Sequence, residues 1–231
     1  MSLWLWGLRW QEQTCDGAHN MNKFSLVLLA FFLPVATSFG DTPEKMFLEQ
    51  VYANGGKTLY CQEAFQADDR VSLEHIYDER RLAQHFGCRT SRLCQSSRQF
   101  VEVSRDRHSL FPVTRHAELD RRRTLLGDLP ATTATDPQCG YKQAFQVFEP
   151  PKSAKGDVAR AMLYLYDRYD IPLLGTLEMY QRWHRDDPVD DEERRRNNVI
   201  EQVQGNRNPF IDDPNRADSL QGSSPLNMQF P

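Results

Sequence analysis

The chain has 231 residues, with 28 basic and 32 acidic side chains and a net charge of −4. A net negative chain can hold a polyanion only where its basic residues are clustered. Beyond residue 36 no apolar run approaches the roughly 20 residues that a membrane-spanning helix needs, so no later segment is a transmembrane candidate.

Residues 1–40 read as an N-terminal extension and signal peptide. Met21-Asn-Lys23 opens a short basic segment, Phe24–Ala36 is apolar, and Ser38 and Gly40 give the small-residue pattern of a cleavage site before Asp41. Translation is expected to start at Met21, downstream of the Trp-rich stretch Met1–Trp10. Cleavage leaves a chain of a size suited to one core, with a domain over 41–212. A tail over 213–231, rich in Asp, Asn, Ser, Gly and Pro, is expected to be disordered. Of five cysteines, Cys15 leaves with the signal and Cys61, Cys88, Cys94 and Cys139 remain. An even number in an exported chain favours disulfides. Cys88 and Cys94 close a short loop, which leaves Cys61 and Cys139 to pair. Sequence alone admits three connectivities. Zinc is the rival, but no second Cys or His pair stands at finger spacing.

Along the mature chain, Lys45–Tyr52 is an amphipathic helix ended by Gly55-Gly56. Thr58–Cys61 reads as a short strand or extended segment, and Val71–Ile76 as a strand favoured by its β-branched ends. A polar connection over 77–105 carries a short helix near Arg81–Phe86. Phe100–Val103 reads as a second strand. His108–Pro112 leads into a helix from Thr114 to Leu126, with Gly127 as its stop. Val158, Met162, Leu165 and Tyr169 share one face of a helix over 156–169. Further helices are expected over Leu173–His184 and after Pro188. The latter is capped by Asp190 with Glu193, turns Val199, Ile200 and Val203 inward, and ends at Gly205. Arg194, Arg195 and Arg196 read as a solvated or ion-paired face.

Three blocks carry the chemistry. Glu74-His75, in the strand, sets a hard-cation ligand beside an imidazole able to act as a general base. Asp106-Arg-His-Ser-Leu-Phe-Pro112 and Gln204-Gly-Asn-Arg-Asn-Pro-Phe210 follow. Basic clusters accompany them: Arg80, Arg81, Arg89, Arg92 and Arg98, then Arg121, Arg122 and Arg123. In this order the blocks resemble the endonuclease I family, secreted or periplasmic non-specific nucleases of the His-Me finger type. Strand, long loop, second strand and helix is also the order that a ββα-metal motif needs.

The resemblance implies an α+β fold with a ββα-metal centre and a mainly helical C-terminal half. It implies His75 as general base and Glu74 as metal ligand, with Mg²⁺ (Ca²⁺ or Mn²⁺ as alternatives) as cofactor. The implied partners are DNA and RNA, for a monomer without membrane attachment after signal removal, located in the periplasm or outside the cell. The family's second ligand is Asn in a pattern resembling H-N-L-Y-P-A-x-x-x-x-N-x-x-R, and here Glu118 occupies that position and Arg121 the final one. Asp120 is the alternative ligand if the helix starts differently. Arg92 is the candidate for transition-state phosphate, standing two residues before Cys94 where the family has its arginine three before. Arg89, Arg121 and Arg122 are candidates for nucleic-acid contact. Tyr77-Asp-Glu79 departs from the family's Val-Pro-Ala type sequence and is expected to alter the loop, not the chemistry. Because adjacent strand residues face opposite ways, Glu74 and His75 can share a site only if the strand bends or ends there.

His108 reads as a core brace and His116 and His85 as surface residues. Arg160 is either a phosphate contact or a helix-surface ion pair, and Asn206, Asn208 and Phe210 read as architectural. The implied activity is cleavage of DNA or RNA without strong sequence specificity, leaving 5′-phosphate ends. Two alternatives stand beside it: a catalytically weakened nucleic-acid-binding protein of the same fold, motivated by the Asn-to-Glu change, and an envelope interaction protein.

Overall fold

The computed structural model describes residues 42–221. The expectations for residues 1–40, and for the tail beyond 221, lie outside the described residues. Helix α1 (Pro43–Val51) starts at Thr42, whose hydroxyl accepts from Lys45 N, and buries Phe47, Leu48 and Val51. Strands β1 (Gly56–Lys57) and β2 (Ala64–Phe65) pair antiparallel. Between them Thr58–Cys61 forms a turn, not the expected short strand or extended segment. Thr58 N donates to Glu63 O and Gln62 N to Thr58 O, each at 2.9 Å. The turn tucks Leu59 and Tyr60 into the core.

Strand β3 (Ser72–His75) pairs antiparallel with β4 (Leu110–Val113), with Glu74 opposite Phe111 and His75 opposite Leu110. Sequence reasoning placed the second strand at Phe100–Val103, and this is wrong. That segment lies in α4 (Arg98–Ser104), after α2 (Glu79–His85) and α3 (Ser91–Cys94). Ser97 caps α4 by accepting from Phe100 N, and Phe100, Val103 and Ser104 are buried at helical spacing. The strand that does pair, β4, contains Pro112, which cannot donate to a ladder and so weakens any strand signal in the sequence. Here Pro112 serves as an acceptor, taking a 2.8 Å bond from Leu59 N.

Helix α5 (Arg115–Arg121) follows β4 and ends six residues before Gly127. Arg122 leaves the helical region and Arg123 has φ 65°. The chain continues as β5 (Leu125–Leu126), which runs parallel to β7 (Val147–Glu149); β6 (Lys142–Ala144) pairs antiparallel with β7. The early stop has a tertiary cause. Arg121 is buried and turns back to donate to Thr124 O at 2.9 Å and to Ile76 O at 3.1 Å.

Helix α6 (Lys155–Tyr169) is the centre of the core. It buries residues all round, Val158, Ala159 and Ala161 to Leu165 among them, and not one apolar face. Helix α7 (Leu177–Asp186) packs against it through Tyr180 and Trp183 and begins at the Thr176 cap, four residues later than expected. Helix α8 (Asp191–Gln204) has the expected Asp190–Glu193 capping box and ends at Gly205 with φ 83°. Its inward face is Glu193, Arg196, Asn197 and Ile200, whereas Val203 is exposed. Arg194 and Arg195 pair with Asp191 and Glu192 on the surface. Arg196 does not: it is buried, lies 4.0 Å over the Phe111 ring and donates to Arg107 O and Leu110 O. Short helices α9 (Pro209–Asp212) and α10 (Arg216–Ser219) close the described chain, with Ala217 buried. The molecule is therefore mixed α+β, with its C-terminal half helical.

Cys61–Cys139 and Cys88–Cys94 are the bonded pairs. The first ties the turn before β3 to the loop before β6, and the second closes the loop between α2 and α4.

Candidate active site

β3 ends at His75, so two adjacent residues reach one site without a bend. An open cleft of ≈ 340 Å³ is lined by Glu74 and His75 from β3, Asp78 and Glu79 at the start of α2, and Glu118, Arg121, Arg122 and Arg123 from α5 and its end. The Glu74-His75 pair and Glu118, expected from two separate segments, therefore line one cleft.

Glu74 is 7% exposed. Its Oε1 accepts from Tyr60 Oη at 3.0 Å and lies 3.0 Å from Arg121 Nε. The arginine contact is an ion pair without hydrogen-bond alignment, since Nε is left without a hydrogen-bond partner. Glu74 Oε2 is buried and has no hydrogen-bond partner among the described residues. Burial outweighs the attraction of Arg121 and the Tyr60 bond and raises this carboxyl from 4.5 to about 7. A buried carboxylate oxygen with no donor, on a cleft that also holds a second carboxylate, is a setting that a cation would complete.

His75 Nε2 is 3.1 Å from Ser104 O. A carbonyl can only accept, so Nε2 carries the hydrogen and the neutral ring presents its lone pair at Nδ1. Glu79 Oε1 lies 3.7 Å from the same Nε2. Tyr77-Asp-Glu79, expected to be chemically neutral, thus supplies two acids to the cleft.

Glu118 is held between Arg122, at 2.8 Å, and Arg115. Burial pushes its carboxyl up, but the bonds from Arg122 and Arg115 prevail and hold it below its ordinary value. It is a charged carboxylate in the right cleft, already engaged by two cations. Asp120 points elsewhere: Tyr141 Oη donates to its Oδ2 at 2.6 Å, and it does not line the cleft. Among the described residues no group of three or more His, Cys, Asp or Glu could by itself hold a metal. Two carboxylates with water completing the shell remain a fit for Mg²⁺, which keeps several waters and takes one or two protein carboxylates.

The arginines divide. Arg122 and Arg123 are exposed at the cleft edge. Arg121, expected at nucleic acid, is 5% exposed and is engaged by Glu74, Thr124 and Ile76, so it positions Glu74 from beneath. Arg89 and Arg92 are exposed on the Cys88–Cys94 loop, and neither lines the cleft. Arg160 is neither a phosphate contact nor a surface residue. It is 1% exposed and bonds both oxygens of Glu193 at 2.6 Å. His108 is a buried brace, donating from Nε2 to Asn206 O at 3.1 Å, and burial lowers it to about 4. His116 is half exposed beside Asp136. Sequence reasoning missed Tyr60 and Ser104. Neither has a local signature, because each reaches the site through a distant turn or helix end.

The endonuclease I family model matches residues 40–215. The extracellular deoxyribonuclease of Aeromonas hydrophila is 29% identical over 151 residues, 62% of this chain and 66% of that protein. The extracellular ribonuclease of Bacillus amyloliquefaciens is 39% identical over 92 residues, 32% of each chain. Endonuclease-1 of Buchnera aphidicola subsp. Acyrthosiphon pisum is 27% identical over 149 residues, 62% of this chain and 59% of that one. The chain thus spans 32% to 66% of the length of these curated relatives. With three-quarters of its length matched by the family model, on the segment that builds the Glu74–His75–Glu118 cleft, the chain belongs to the endonuclease I family.

Proposed function

We propose that this protein is an exported, divalent-cation-dependent endonuclease with a ββα-metal centre. It cleaves DNA, and RNA as a second substrate, without strong sequence specificity and leaves 5′-phosphate ends. The observation that carries this reading is the convergence of His75, Glu74 and Glu118 on one cleft with Arg122 and Arg123 at its edge. The antiparallel β3–β4 pair followed directly by α5 supports the ββα assignment. Relatives named as extracellular or periplasmic nucleases support export, and two disulfides suit an oxidising compartment.

In this mechanism His75 Nδ1 takes a proton from water while Ser104 O keeps the ring in the required tautomer. Glu74 and Glu118 would hold the cation, Mg²⁺ in the first instance, which would supply charge neutralisation for the phosphoryl oxygens and the departing 3′ oxygen. Tyr60 and Arg121 fix the other oxygen of Glu74. Arg122 and Arg123 attract the phosphate, and Arg89 and Arg92 contact the backbone away from the scissile bond.

One observation favours the weakened-enzyme reading: both oxygens of Glu118 are engaged by arginine. Plasmid nicking, with single- and double-stranded DNA and RNA alongside, decides between them. Cleavage with Mg²⁺ that stops in EDTA supports the nuclease, and binding without cleavage across divalent metals supports the weakened form.

A further inference from the structure

β6 and β7 are joined by the two-residue turn Phe145-Gln146. Both residues lie in the left-handed region, with φ 49° and 70°. Two-residue hairpins of this kind favour Asn-Gly or Asp-Gly, because a side chain strains the left-handed conformation. Phe145 is moreover 100% exposed. Neither turn propensity nor burial accounts for a phenylalanine at this position. Strained residues that the surroundings hold in place cluster at functional sites.

The turn is tied to the end of the cleft. Leu125 N donates to Gln146 O at 2.7 Å, and Gln143 Nε2 donates to Asp120 O at 2.7 Å. Leu125 follows the cleft residue Arg123 by two positions. Chain geometry therefore keeps the turn within about 15 Å of Arg123, a distance of about four nucleotides at roughly 3.4 Å each. Phe145 therefore lies within a few nucleotides' length of a strand held by Arg122 and Arg123.

We propose that Phe145 is a base-stacking residue: its ring packs on an unstacked base of the nucleic acid that the cleft holds, a few nucleotides from the scissile phosphate. The inference rests on the nuclease reading above. The chemistry is that of single-strand and opened-duplex binding, in which arginines follow the phosphates and an aromatic face takes a base. Stacking accepts every base, since each has a π-face, so it adds affinity without sequence preference. The neighbouring arginines favour a polyanion over an apolar protein partner for the same ring.

The test compares the full chain with Phe145→Asn and Phe145→Trp. Asn suits the left-handed turn, so that variant folds, and its melting temperature verifies this. Each protein is titrated in EDTA against a single-stranded and a duplex oligonucleotide carrying one 2-aminopurine, at several salt concentrations. Wild type should change the fluorescence of the modified base at one or two positions. Phe145→Asn should abolish that change and weaken binding roughly 5- to 150-fold, with the salt slope unchanged because the phosphate contacts persist. Phe145→Trp should restore both. If Phe145→Asn binds as tightly as wild type and perturbs the probe equally, Phe145 has no stacking role and the nuclease reading stands. If wild type binds no oligonucleotide, this proposal falls, and the nuclease reading falls with it only if plasmid nicking with Mg²⁺ also fails.

Discussion

Glu74→Gln separates the cost of burying a carboxylate from its use. Unfolded, this group titrates near 4.5, and in the folded protein near 7. Between those values the native state keeps a proton that the unfolded chain has released, so stability falls as pH rises through the window. The penalty is absent below about pH 4.5 and complete above about pH 7. At about 1.4 kcal/mol per pH unit it amounts to roughly 3 kcal/mol. Gln keeps the shape and never ionises. In EDTA, urea denaturation should therefore find the variant equal to wild type near pH 4 and more stable by roughly 3 kcal/mol near pH 8. Added Mg²⁺ should narrow the gap, because it favours the ionised wild type and has no such carboxylate in the variant. Cation-dependent cleavage should be lost. A gap that does not grow from about pH 4 to about pH 8 would refute the reasoning. It would mean that Tyr60 and Arg121 compensate the buried charge in full.

His75→Ala should lower cleavage about 10²–10⁴-fold and leave oligonucleotide affinity in EDTA unchanged, as read by plasmid nicking and a binding titration. Glu118→Asn should keep activity but need more metal, and Glu118→Ala should cost far more. Asp120→Ala should leave the metal titration unmoved, because its carboxylate faces Tyr141. Reduction of Cys61–Cys139 and Cys88–Cys94 should lower the melting temperature, with loss of about 2–5 kcal/mol for a native disulfide in a small exported domain. Mass spectrometry of non-reduced peptides should recover these two pairings and no others.

The amino-acid sequence by itself determined the helices that announce their own ends. Asp190 with Glu193 starts α8 and Gly205 stops it, because capping groups and a left-handed glycine act within a few residues. It also marked Glu74-His75 by residue type, while Glu118 was marked only by the position it takes in the resemblance to the endonuclease I family, and the tertiary structure brings all three to one cleft. It misassigned Phe100–Val103 because β-branched residues suit a strand locally, while burial of Phe100 and Val103 against the core rewards a helix. It extended α5 to Gly127 because nothing local reveals that Arg121 must turn under Glu74 and draw Thr124 with it. It counted Arg121 among surface cations and Arg196 in a solvated face, although both are buried and bonded across distant elements. Charge is visible in a sequence, but its burial depends on which segments converge. The same holds for Tyr60 on Glu74 and Ser104 on His75, contacts 14 and 29 residues apart, the first made by the turn before β3 and the second only once the long connection after β3 has folded back on it.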